Sequence, residues 1–163
     1  MTDQELIDKL NQGFIAEDPV ITNFCLSCDF DPQECYGLEN SMHYLNVPSK
    51  YISWQGDGGG THLVYLDGEQ YVVVETTESP EFIVVGKTVE EFIQILAAVG
   101  SKFYYFVDDD GNFRNVEGCL SERDKDYEIC KYIGIEMKDE QFVFDQLKKY
   151  KHVYDRLMRD FHV

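Results

Sequence analysis

From Tyr51 to Val85 the chain passes through β-branched and aromatic runs cut by turn residues, and this block leaves few choices of fold. Tyr51-Ile-Ser-Trp54 meets the glycine-rich stretch Gln55-Gly-Asp-Gly-Gly-Gly60. Thr61-His-Leu-Val-Tyr-Leu66 and Gln70-Tyr-Val-Val-Val-Glu75 then flank Asp67-Gly68, and Glu81-Phe-Ile-Val-Val85 follows Ser79-Pro80. Asp-Gly between two such runs favours a tight turn in which both residues take positive φ, so the spacing predicts an antiparallel hairpin. Behind it Thr88-Val-Glu-Glu91 has the form of a capping box, and Val89, Phe92, Ile93, Leu96 and Ala97 share one helical face that Gly100 should stop.

Helical spacing also opens and closes the chain. Thr2-Asp-Gln-Glu5 is a second capping-box pattern, followed by Leu6, Ile7, Leu10, Phe14 and Ile15, with Asp18-Pro19 as the expected end. Val143, Leu147, Tyr150, Tyr154, Leu157 and Phe161 recur four and three apart, which predicts one long helix from about Asp139, packed on the protein's own core. Fewer than three heptads argue against a coiled-coil seam. Between these elements Val20–Leu26 reads as a strand, as do Lys102–Val107 and Phe113–Val116 around an Asp108-Asp-Asp-Gly-Asn112 turn. The class is α+β. With 163 residues, 44% hydrophobic and 14% aromatic, the chain fits a single domain that folds on its core without a disulfide or metal staple.

An odd set of cysteines, Cys25, Cys28, Cys35, Cys119 and Cys130, suits reduced thiols. No basic, apolar leader begins the sequence and no apolar run reaches bilayer length, so a cytoplasmic location is expected. The net charge of −17 argues against nucleic acid or anionic membrane as partners and favours a basic protein. Its distribution is uneven: residues 1–100 set seventeen carboxylates against Lys9, Lys50 and Lys87, while residues 101–163 carry a net charge of only −3.

Specific chemistry is harder to find. Cys25, Cys28, Cys35 and His43 could offer a tetrahedral metal four soft ligands, but true zinc motifs pair their ligands in two sets, and here Cys35 and His43 stand singly. Redox use of Cys25-Leu-Ser-Cys28 is opposed by the acids that follow, which raise a thiol pKa. Asp108, Asp110 and Glu117 align with three calcium-loop positions, yet Phe106 would fall at the first one, so a hairpin turn is the better reading. Gly56-Asp-Gly-Gly-Gly60 lacks the Lys and the following helix of a phosphate loop. His62 and Asp57 lack a nucleophile, and no cofactor or catalytic constellation is expected.

The segment Trp54-Gln-Gly-Asp-Gly-Gly-Gly-Thr-His-Leu-Val-Tyr-Leu-Asp67, with Tyr71-Val-Val-Val74 and Glu81-Phe-Ile-Val-Val-Gly-Lys-Thr-Val-Glu-Glu-Phe-Ile-Gln-Ile-Leu96, resembles the SUKH superfamily over roughly residues 50–98. The order is a glycine-rich turn, a strand ending in Asp, another strand, and a helix with Phe92 and Leu96 four apart. Residues 101–163 would extend such a domain. The resemblance implies a twisted, mainly antiparallel sheet packed by helices, often serving as an immunity protein that blocks a cognate bacterial toxin, frequently a nuclease. It brings no catalytic residues. On that reading Trp54 would anchor the partner, with Asp57, Glu75, Glu78 and Glu81 as charge partners. A regulatory module with a non-toxin partner is the alternative, and a zinc- or thiol-dependent enzyme using Cys25, Cys28 and His43 the more distant one.

Overall fold

The computed structural model describes residues 1–32, 47, 49–52, 60–75, 82–108, 112–114 and 120–159. Four antiparallel strands form a meander in sequence order: β1 (Ser49–Ile52), β2 (Thr61–Leu66), β3 (Glu69–Glu75) and β4 (Phe82–Gly86). The Asp67-Gly68 turn has φ of 53° and 79°, the positive pair that a two-residue hairpin needs, and it sets Leu63 opposite Val72 and Val64 opposite Tyr71. Because side chains alternate across a sheet, this register puts Leu63, Val72, Val74, Ile83 and Val85 on one face and Val64, Tyr71, Val73, Phe82 and Val84 on the other.

The first face lies under α1 (Asp3–Ile15), α2 (Pro19–Cys28), α3 (Val89–Val99), α4 (Tyr127–Ile133) and α5 (Glu140–Lys149), which share its core. Thr2 caps α1 through a complete capping box. Thr88 caps α3 by accepting the Glu91 N–H, but the Glu91 carboxylate turns to the Lys87 N–H instead of closing the box. Gly100 ends α3 at φ 63°. Phe92 lies at the centre of this core, 6.5 Å from the Phe30 ring and 5.9 Å from that of Phe103. Gly13 lets α1 approach α2 closely: a Cβ there would sit 2.5 Å from Ile21 Cγ1.

Two segments expected as strands are helical. Val20–Leu26 belongs to α2, because Asp18 accepts the Val20 N–H and Pro19 takes the first helical turn, so the pair expected to stop one helix starts the next. Burial of Ile21, Phe24, Cys25 and Cys28 on one side overrides the β-branched composition. Lys102–Val107 lies almost wholly within a 3-10 segment, Gly100–Phe106. There Phe103 and Phe106, three apart, both point inward, a spacing that suits a 3-10 turn and not a strand. Val107 bridges to Phe113, the Asp108 N–H donates to the Asn112 carbonyl at 2.8 Å and the Asn112 N–H to the Asp108 carboxylate at 2.9 Å, while residues 109–111 and 115–116 of the expected turn and strand lie outside the described residues.

The expected long C-terminal helix is two, α5 and α6 (Lys151–Arg159), divided at Tyr150. Its apolar stripe is real but serves both faces of the sheet: Val143 and Leu147 join the first core, whereas Tyr150, Val153, Tyr154 and Leu157 cover the second. The chain thus wraps the edge of β4, all five of whose residues are buried, and Gln146 Nε2 donates to the Val85 carbonyl at 3.4 Å. Among the described residues no helix is long and apolar enough to cross a membrane.

Candidate functional site

β1 and β3 end, and β2 and β4 begin, at one end of the sheet, so Ile52, Thr61, Glu75 and Phe82 lie at the same end. Trp54, Asp57, Glu78 and Glu81 fall in the β1–β2 and β3–β4 connections and lie outside the described residues. Glu75, the last residue of β3, is described. Its N–H donates to the Gly60 carbonyl at 2.7 Å, and its carboxylate lies 3.0 Å from His62 Nε2. The imidazole is 3% exposed and the carboxylate 26%. Glu75 is therefore tied into the sheet at the base of both connections, with part of its carboxylate facing outward. The signal for this pair was the two-residue turn, which places His62 opposite Val73 and so puts Glu75, two residues on, on the same face.

The cysteine motif faces inward. Cys25 and Cys28 are buried in α2, with Cys28 Sγ 3.9 Å from the Leu96 carbonyl oxygen. Burial, reinforced by Asp126 and Asp29, pushes the Cys28 thiol up to about 12, and burial also pushes Cys130 up to about 11. Both are protonated near neutrality, the opposite of what nucleophilic, redox or metal chemistry requires of a thiol. Cys35 and His43 lie outside the described residues, and among the described ones no group of three His, Cys, Asp or Glu side chains could hold a metal ion.

The charge differs along the chain. The α1–α2 pair carries Asp3, Glu5, Asp8, Glu17, Asp18 and Asp29 against Lys9. Asp3 accepts from the Val89 N–H at 2.9 Å, and Glu5 and Asp18 serve in caps, but hydrogen bonds to backbone leave their negative charge in place. Toward the C-terminal end the balance reverses: α5, on the same face as α1 and α2, and α6, on the other, carry Lys148, Lys149, Lys151, Arg156 and Arg159 against Asp139, Glu140, Asp145 and Asp155. The arrangement can attract and orient a charged macromolecule without any chemical step.

Comparison of the chain with protein-family models, with curated proteins and with solved structures finds no match.

Proposed function

We infer that this chain is a non-catalytic protein-binding domain of the immunity type, which acts in a bacterial cytoplasm by capturing and blocking a basic toxin of the nuclease kind. The observation that supports the reading is the concentration of negative charge in residues 1–100, seventeen carboxylates against three lysines, with six of the carboxylates in or beside α1 and α2. A nuclease must be basic where it meets phosphate, so an acidic protein surface competes for that site and hastens encounter by steering. The burial of Cys25 and Cys28, and the raised pKa of the Cys28 thiol, weigh against the thiol-enzyme alternative.

Affinity capture at low salt, identification of the bound protein by mass spectrometry, and reconstitution with that protein purified make the test. The expected outcome is a basic partner that is toxic when expressed alone and harmless when co-expressed, with affinity falling as salt screens the attraction. A non-toxic partner would move the reading to a regulatory interaction module. Affinity indifferent to salt would remove the electrostatic basis of both.

A further inference from the structure

A cavity of about 270 Å³ opens on the helical side of the molecule, where the ends of α2 and α3 meet the segment that leads into α4. Ser27, Leu96 and Ser101 line it, and Lys102, Arg123 and Lys125 bring three cations to it in a chain of net charge −17. Asp124 and Asp126 also line it, so its three cations exceed its lining carboxylates by one, and the acids around it already have partners. Asp124 accepts the Ser121 N–H at 2.7 Å and lies 3.0 Å from Lys102 Nζ, Asp126 caps α4 through the Ile129 N–H, and Glu122 takes Lys125 Nζ and the Tyr127 hydroxyl, both at 3.1 Å. The carbonyls at the helix ends are also occupied: that of Phe24 by the Ser27 hydroxyl, that of Leu96 by the Gly100 N–H, and that of Ala97 by the Asp126 N–H.

Arg123 differs from its neighbours. It is exposed at the cavity and has no hydrogen bond or ion pair among the described residues. Its guanidinium therefore presents a full fork of N–H donors, the geometry that matches a carboxylate or phosphate with two parallel bonds. Lys125 gives one of its three N–H groups to Glu122 and keeps the others. The overall negative charge does not forbid an anion here, because at physiological ionic strength charges beyond about 8 Å are largely screened and the lining residues decide.

We propose that this cavity binds a small oxyanion, a single phosphate or carboxylate group, with Arg123 as its forked donor and Lys125 beside it. The inference does not depend on the protein having a toxin as partner. Its test is thermal unfolding and calorimetric titration of the intact protein with inorganic phosphate, acetate and adenosine monophosphate, each against sodium chloride at matched ionic strength. At least one probe should saturate and raise the melting temperature above the chloride control. Arg123→Gln, an exposed position where folding should be unaffected, should weaken that binding tenfold or more. The tightest probe names the source: phosphate for the free ion, acetate for a carboxylate, the nucleotide for a phosphate carried on a nucleoside. Stabilisation no greater than chloride gives with all three, or saturation that survives Arg123→Gln, would overturn the assignment.

Discussion

On one face of the sheet Leu63, Val72, Val74, Ile83 and Val85 lie beneath five helices and a 3-10 segment, whereas on the other Val64, Tyr71, Val73, Phe82 and Val84 are covered, among the described residues, by Val47, Tyr150 and helix α6. The first core is built from side chains far apart in sequence, so each helix is held by several others. Among the described residues the second depends chiefly on Tyr150, Val153, Tyr154 and Leu157, with Val47 beside them. Stability is not uniform across such a molecule, and the thinly covered face should open at lower free energy than the thick one.

The largest expected effect tests the thick face. Phe92→Ala removes the ring shared by Phe30 and Phe103 and should cost about 3–5 kcal/mol, measured as a lower denaturant midpoint. Amide exchange should then quicken throughout the molecule, because both faces share β2, β3 and β4. Leu157→Ala should cost about 2–3 kcal/mol, since one side of its site is a terminal helix that can settle into the space. Its exchange should quicken first in α6, leaving α3 protected. Uniform loss of protection would show that the two faces unfold as one unit. Gly13→Ala returns to the thick face from the opposite direction, by overpacking. Its new methyl meets Ile21 Cγ1 at 2.5 Å and, at 3.2 Å, Ile21 Cβ, which is fixed to the backbone, so α1 must shift from α2 at about 1–2 kcal/mol, read from the same midpoint.

Much of the thick face was legible in the sequence. Asp67-Gly68 fixed the β2–β3 register, and the periodicity of Val89, Phe92, Ile93 and Leu96 marked α3, because turn geometry and helical spacing are local signals. The α2 segment misled because Val20-Ile-Thr22 is β-branched, while the tertiary burial that makes it helical is invisible along the chain. The stripe from Val143 to Leu157 was read correctly as apolar. No local signal said that it turns at Tyr150, since the cause is the edge of β4, which the chain must round. Of the candidate partner-binding residues only Glu75 is described, and its imidazole partner could be foreseen only once the hairpin register was drawn. Arg123 was not foreseen as a ligand group: its role comes from a cavity assembled by α2, α3 and the approach to α4.

The smallest effect asks what holds α6 down. Besides its apolar stripe the helix has an ionic tie to the sheet's hairpin, a forked contact in which Arg156 Nη1 and Nη2 reach the two carboxylate oxygens of Asp67. Hydrogen bonding from Arg156 holds the Asp67 carboxyl below its ordinary value of 3.8. A carboxylate whose folded pKa is lowered adds stability that is present above the unfolded value and is lost as pH falls through the folded one. Arg156→Ala should therefore unfold slightly before the native protein at neutral pH, and the two should converge as pH drops below 3.8. Both groups are exposed, so the same convergence should appear at neutral pH in high salt. Chemical denaturation with urea, which leaves ionic strength unchanged, makes the comparison clean. Were Arg156→Ala to lower the midpoint as far as Leu157→Ala does, α6 would be held by its ion pair, and the contrast between the faces would be one of electrostatics and not of apolar cover.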